Sequence, residues 1–184
     1  MAGRLKLITP PATEPVIPAD LRLFGRIPGE VEAAQLEPLI AAAREAAEAH
    51  LNRAIITQTW EMVLDYYPCC PISVPLPPLI SLQAVTITDI AGNTTTMQTT
   101  DFVVDASGCK GEISLRYGKS WPSVTPERAG VVIRFMAGYG DADAVPQRIK
   151  EAIIVHALAA YDSPGEPVPE VFYTLLNADR VAPL

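Results

Sequence analysis

Hydrophobic residues between positions 32 and 51 recur at steps of three and four, with charged residues opposite them. The apolar stripe consists of Leu36, Leu39, Ile40, Ala43, Ala47 and Leu51. This spacing follows one face of an α-helix, so it predicts an amphipathic helix over residues 32–53. Pro38 lies one turn inside this segment and places the start of regular helix near Gln35, while Asn52 suits a left-handed stop.

After Arg53 the hydrophobic period changes to two, which is typical of strands. Alternating β-branched and aromatic residues predict a long strand over 56–66, and shorter strands are predicted over 82–88, 94–97, 102–104, 112–117 and 131–137. Prolines at positions 75, 77 and 78 restrict residues 71–78 to an edge strand or a polyproline stretch. Residues 54–140 are therefore predicted to form a small antiparallel β unit of six or seven strands.

A second helix is predicted within residues 141–162, opened by Pro146. Its apolar stripe consists of Ile149, Ile153, Ala157 and Ala160, widened by Ile154, Val155 and Leu158. A helix that is apolar around most of its girth is either central to a core or covered by another copy of the protein.

The two ends of the chain are rich in proline. Residues 1–31 are predicted to form an extended arm with one short helix near residues 18–24, because each proline fixes φ and removes a donor. Residues 163–184 are predicted to be a docking tail that includes a short apolar helix or docking segment at 171–176. The fold expected from these elements is a single α+β domain over residues 1–184. Its N- and C-terminal helices pack together, and the β unit is inserted between them.

Composition and charge narrow the classes of function. The chain has 184 residues, of which 49% are hydrophobic and 19% charged, so it is expected to fold. Its formal charge of −7 disfavours binding through neutralised nucleic-acid phosphates. No apolar run reaches the roughly 18 residues of a membrane span. Adjacent Cys69 and Cys70 suit neither a disulfide framework nor a metal pair, and they are interpreted as loop or partly buried thiols.

The motifs that could carry chemistry are incomplete. The two histidines, His50 and His156, lie on different predicted helices, so their spacing predicts neither a catalytic triad nor a metal site. The Gly118-Lys119-Ser120 sequence lacks the earlier glycine of a P-loop, so it is interpreted as a turn with Trp121 closing over the core. The acidic residues around the second helix are interpreted as a solvated face; they are Asp141, Asp143, Glu151, Glu166 and Glu170. No catalytic, cofactor or metal site is predicted, and the chain is expected not to be an enzyme.

One ordered series of sequence phrases runs along the chain: residues 7–11, 39–45 with Glu48, 53–60, 75–79, 118–122, 135–141, the Pro146 helix, and Leu175-Leu176 with Arg180. The phrases of this series resemble the head–tail connector (adaptor) proteins of tailed phages. They span nearly the whole chain in order. The first short helix departs from the family, in which it is usually longer and richer in charge.

The resemblance implies a structural protein of the virion neck, assembled in the bacterial host cytoplasm. Roughly twelve copies would form a cyclic, head-to-tail ring between the portal protein and a stopper or tail-terminator protein. DNA would pass through its channel without specific binding, and no cofactor or membrane is implied. The particle is either a phage or a phage-derived particle such as a gene transfer agent.

A head-to-tail ring needs two different adhesive faces on each subunit. The candidate interface residues are Phe172, Tyr173, Leu175, Leu176, Arg180, Ile154 and Leu158. For the four residues of the tail helix, and for Trp60 and Trp121, packing inside the chain remains an equally open interpretation. Two other classes of function also stay open: a monomeric module that binds peptides at its β edge, and a small hydrolase with an acidic pair.

Overall fold

The computed structural model describes residues 3–29, 31–68, 71–108 and 110–182. Within these residues the chain forms four α-helices and eight strands, with helices toward both ends of the sequence and strands between them. The predicted α+β fold class is confirmed. The chain divides into two compact units: a strand unit of residues 1–10, 57–138 and 183–184, and a helix unit of residues 11–56 and 139–182. That residues 1–184 act as a single domain stays a prediction.

The strand unit contains two antiparallel sheets. The strands are β1 (Arg4–Thr9), β2 (Gln58–Leu64), β3 (Ile72–Val74), β4 (Leu79–Asp89), β5 (Thr94–Met97), β6 (Phe102–Asp105), β7 (Gly111–Leu115) and β8 (Pro126–Ala137). The larger sheet has the order β1-β2-β8-β4-β5, and the smaller has the order β3-β7-β6. The short β3 lies at a sheet edge, as the prolines after it predict.

The core of the strand unit follows from the two-residue period of its strands. Val131, Ile133 and Phe135 on β8 are fully buried at alternate positions, and Ile133 pairs with Val85 of β4. The two sheets pack closely at Gly111 of β7, where an added Cβ would overlap the side chain of Leu79 on β4. Glycine at this position therefore permits the close packing of the sheets.

The prediction that residues 1–31 form an extended arm is wrong for the segment that forms β1. Residues 4–9 pair antiparallel with β2, with Leu7 opposite Trp60, so part of the extended segment belongs to a sheet. This raises the strand count from the predicted six or seven to eight among the described residues. The pairing joins residues fifty or more positions apart, and no local pattern in the sequence indicates such a contact.

The helix unit contains α1 (Pro18–Gly25), α2 (Ala33–Leu51), α3 (Gln147–Asp162) and α4 (Glu170–Leu176). These bounds agree closely with the predicted helices, and α2 begins slightly before the expected Gln35. Asn52 ends α2 with a φ of 53°, the predicted left-handed stop. The predicted stripe of α2 is buried against α3, and one continuous apolar core joins the two helices to α4.

Candidate interface surfaces

Five of the seven predicted interface residues are covered by their own helix unit. Phe172 and Leu176 are 1% and 0% exposed, and Ile154 is buried beside them. Leu158 and Leu175 are half-buried against the same core. The broad apolar girth of α3 is therefore explained by packing inside the unit, the first of the two interpretations that its pattern left open.

The remaining two predicted residues, Tyr173 and Arg180, are exposed. The ring of Tyr173 packs edge-on against the rings of His50 and Phe172, with centroids 5.0 and 5.1 Å away. Val171 on the same helix is also exposed. Tyr173 and Arg180 thus offer more free surface than the other five, and the interface role of the seven residues stays a prediction.

Much of the predicted docking tail is held by its own chain. The Val181 amide donates to the carbonyl oxygen of Leu51 at 2.9 Å, and Asn52 Nδ2 donates to the carbonyl of Val181 at 2.8 Å. Arg53 Nε donates to the carbonyl of Asp179 at 2.7 Å. Residues 177–181 are therefore hydrogen-bonded to the C-terminal end of α2, within the helix unit. Residues 183 and 184 lie outside the described residues.

Arg44 is a buried charged residue on α2, opposite the predicted apolar stripe in sequence. It is 6% exposed, and its guanidinium donates to Glu14 and Glu48 at 2.8 Å each, with Glu45 at 3.5 Å. Burial alone would lower the pKa of Arg44, but hydrogen bonds and charges from Glu14 and Glu48 outweigh it, and the pKa is raised. Glu48 also accepts the amide proton of Ile55 at 2.9 Å. The four-residue spacing of Arg44 and Glu48 was the one local signal of this cluster.

A groove of about 590 Å³ lies between the proline-rich segment 11–18 and α2. We call it the arm groove; it is lined by Pro11, Ala12, Thr13, Glu14, Val16, Ile17, Pro18, Glu37, Pro38, Ile40 and Ala41. Three proline rings and the exposed Ile17 make its walls largely apolar. Glu14 and Glu37 add carboxylates, and the described residues give Glu37 no ion-pair partner. Leu23 and Phe24 on α1 are exposed apolar residues of the same unit.

The strand unit carries a hydrogen-bonded turn with an aromatic residue at its tip. We call residues 116–119 the Tyr117 turn. Its ends are joined by the Lys119 amide, which donates to the Arg116 carbonyl at 3.0 Å, and Gly118 supplies the required φ of 80°. Tyr117 is fully exposed. Arg116 donates from its amide to Asp101 at 2.9 Å, and Lys119 Nζ lies 2.7 Å from the Asp101 carboxylate.

The turn predicted at Gly118-Lys119-Ser120 is present, but no sequence pattern indicates the exposed position of Tyr117. The glycine predicts the turn, whereas the anchoring by Asp101 joins segments that are separate in sequence. Trp121, after the turn, packs parallel to Tyr67 at a ring distance of 5.2 Å and donates to the Pro68 carbonyl at 3.2 Å. This agrees with its expected role in closing over the core. Cys69 and Cys70, the thiols interpreted from the sequence, lie outside the described residues.

The described residues contain no group of three or more His, Cys, Asp and Glu that could hold a metal ion. The predicted acidic face is present, with Asp141, Glu151 and Glu170 exposed. Burial lowers the pKa of His156, whose ring packs edge-on against Phe172 at 5.1 Å. None of the helices described here is both long and apolar enough to cross a membrane.

Charge is divided unequally between the two units. The strand unit's sequence contains seven Lys or Arg and seven Asp or Glu, whereas the helix unit's contains seven and fourteen. The whole formal charge of −7 therefore belongs to the helix unit. An interaction that depends on charge would distinguish the two units.

Comparison with solved structures shows that this α+β fold occurs elsewhere. A chain in the virion of a native gene transfer agent particle matches with a TM-score of 0.79 and 21% identity, covering 98% of this chain and 96% of that chain. A chain in the neck of an empty gene transfer agent particle, computed with C6 symmetry, matches with a TM-score of 0.78 and 20% identity. There the match covers 98% of this chain and 97% of the other.

A third match comes from the neck of a native gene transfer agent particle computed with C12 symmetry. Its TM-score is 0.75 at 21% identity, over 98% of this chain and 97% of that chain. At these identities the likeness establishes the shared fold. No protein-family model and no curated protein matches the chain.

Proposed function

We propose that this chain is a structural protein of the neck of a phage-like particle, where it forms a ring adaptor between the portal and the tail or stopper. The observation that carries the proposal is the similarity of the whole fold to chains in gene transfer agent necks, over 98% of this chain. The ordered series of sequence phrases that resembles tailed-phage adaptors supports it independently.

The proposed ring contains about twelve copies in a head-to-tail arrangement. One of the matching necks was computed with C12 symmetry. A head-to-tail ring requires two different adhesive surfaces on each copy. This chain exposes Tyr117 and Val124 on the strand unit, and Leu23 and Phe24 on the helix unit. Such exposed apolar side chains suit a protein that is covered by neighbours after assembly.

The proposed role is positional and not catalytic. The portal and the stopper or tail-terminator are the proposed partners above and below the ring, and the virion neck is the proposed location after assembly in the bacterial cytoplasm. A wall with net negative charge makes few phosphate contacts, so DNA would slide through the channel without specific binding. The surplus of acidic residues in the helix unit supports this part of the proposal.

Native mass measurement of co-expressed complexes tests the proposal. The tagged chain is produced with the products of its neighbouring genes, and the recovered complexes are weighed intact. About twelve copies of this 19.8 kDa chain add roughly 240 kDa to a portal-containing partner. Recovery of a 19.8 kDa monomer with no bound neighbour would contradict the adaptor role.

One observation favours a second function, a peptide-binding module. The outer edge of β1 has no strand partner in the described part of the chain, and Leu5 and Leu7 on it are exposed. An open edge can accept an extended peptide as an additional strand. This function predicts a monomer that binds peptides, so the same mass measurement separates it from the ring.

A further inference from the structure

We propose that the Tyr117 turn of one copy inserts into the arm groove of the next copy and forms a head-to-tail contact of the ring. This inference rests on the proposed ring and identifies which two surfaces meet. The donor surface is residues 116–119, and the acceptor is the groove between segment 11–18 and α2.

The Tyr117 turn has the properties of a prebuilt anchor. Arg116 and Lys119 are fastened to Asp101 by a backbone hydrogen bond of 2.9 Å and an ion pair of 2.7 Å. Arg116 Nε also donates to the Thr100 carbonyl at 2.8 Å. A turn that is already ordered loses little conformational freedom on binding, so its contacts contribute more of their free energy to association. Exposed tyrosines on such supports are frequent centres of protein interfaces.

The arm groove has a matching size and lining. Its volume of about 590 Å³ exceeds what one aromatic ring needs and leaves space for the neighbouring side chains of the turn. Pro11, Pro18 and Pro38 present flat, rigid apolar rings, and Ile17 adds an exposed aliphatic side chain. Rigid apolar walls favour burial of an aromatic ring whose hydroxyl group can stay at the rim.

The charges of the two surfaces are complementary. The turn presents Arg116 and Lys119 against the single carboxylate of Asp101. The groove carries Glu37, which has no ion-pair partner among the described residues. It also carries Glu14, which belongs to a cluster with three carboxylates around the one guanidinium of Arg44. A net positive turn is therefore attracted to a net negative groove, which favours this pairing over a contact between two like surfaces.

Each chain carries the Tyr117 turn in its strand unit and the arm groove in its helix unit, so every copy can give one contact and receive one. The groove near Trp121 is a weaker acceptor for the same turn. It measures about 350 Å³, and none of the residues that line it is charged.

Photochemical cross-linking tests which surfaces meet. Tyr117 is replaced by a photoreactive phenylalanine analogue in separately produced isotopically light and heavy chains, which are mixed in equal amounts with the neighbouring gene products before assembly. The native mass of the sample reports whether rings form. After irradiation, cross-links between light and heavy peptides are expected from position 117 to residues 11–18 or 37–41.

The outcomes separate this inference from the proposed function. Rings with cross-links to the groove of another copy support both the proposed ring and the proposed contact. Rings that cross-link elsewhere, or not between copies, overturn the proposed contact and leave the ring intact. Absence of rings, when the unsubstituted chain is also monomeric in the same preparation, overturns both.

Substitutions with matched controls give a second test. Tyr117→Ala is expected to weaken each contact about thirtyfold, which corresponds to about 2 kcal/mol. Tyr66→Ala removes another exposed tyrosine of the strand unit and should leave assembly unchanged. Ala41→Trp fills the groove and should prevent ring formation, whereas Ala42→Trp changes the adjacent exposed position of α2, which does not line the groove.

Mixing the two defective chains gives a signature specific to a head-to-tail contact. Tyr117→Ala keeps a working groove and Ala41→Trp keeps a working turn, so together they form one productive contact. A pair of about 40 kDa is expected from two 19.8 kDa chains, without closed rings. Rings of normal mass from either variant alone would overturn the proposed contact.

Discussion

The two units of this chain differ in their net charge and in the burial of their ion pairs. The ion pairs of the strand unit lie near its surface, as in Arg134 with Glu61 at 2.5 Å, and its positive and negative residues are equal in number. The helix unit has twice as many acidic as basic residues and buries one guanidinium, that of Arg44, among three carboxylates. The formal charge of −7 for the whole chain does not show this difference between the two units.

The difference between the two units predicts which substitutions reduce stability and which reduce association. In the helix unit, three of the predicted interface residues, Phe172, Leu176 and Ile154, are part of the core, so changing them should reduce stability. In the strand unit, the exposed Tyr117 and the open edge of β1 contribute little to the fold, so changing them should affect association. Substitutions in both units test this division.

Phe172→Ala should reduce the free energy of unfolding by about 3–5 kcal/mol, because it empties a fully buried aromatic site among the helices. Val171→Ala, at the exposed neighbouring position, should change it by no more than about 0.5 kcal/mol. Urea denaturation followed by circular dichroism measures both values. Equal, small effects of the two substitutions would mean that Phe172 is not part of the core.

Arg44→Met should cost about 3 kcal/mol, because it leaves the carboxylates of Glu14 and Glu48 without their buried cation. The matched change in the strand unit, Arg134→Met, removes a partly exposed pair with Glu61 and should cost less than about 1 kcal/mol. The same denaturation experiment compares them. A cost at Arg134 as large as that at Arg44 would refute the contrast between the units.

His156 should make the stability of the helix unit depend on pH. Burial lowers its pKa in the folded state, so the unfolded state binds more protons once the pH falls below the ordinary histidine pKa of about 6.5. The free energy of unfolding should therefore decrease as the pH falls from about 6.5 to the folded pKa, and this contribution should be constant above that window. His156→Gln should remove this part of the decrease. Identical pH profiles of the two proteins would contradict the assignment.

The sequence was most informative where contacts are local. The three- and four-residue spacing of α2, the left-handed stop at Asn52 and the hairpin of β4 and β5 were all predictable, because the residues that determine them are neighbours in the chain. The pairing of β1 with β2 was not predictable from local patterns, since it joins distant segments.

The candidate surfaces were less predictable than the fold. An amphipathic helix shows the same apolar pattern whether its apolar face is covered by its own chain or by a neighbouring copy. For this reason Phe172 and Leu176 could not be assigned to the core or to an interface before their burial was known. Tyr117 was missed for the opposite reason, because a single exposed aromatic residue makes no periodic pattern. Its importance depends on the anchoring of its turn by Asp101, a contact between separate segments.

An electron cryomicroscopy reconstruction of the neck, from particles produced by the genome that encodes this chain, tests the proposed ring. We expect a ring of about twelve copies of this fold between the portal and the tail, with neighbouring copies in head-to-tail contact. A neck whose density is fully explained by other proteins, with this chain missing from purified particles, would contradict it.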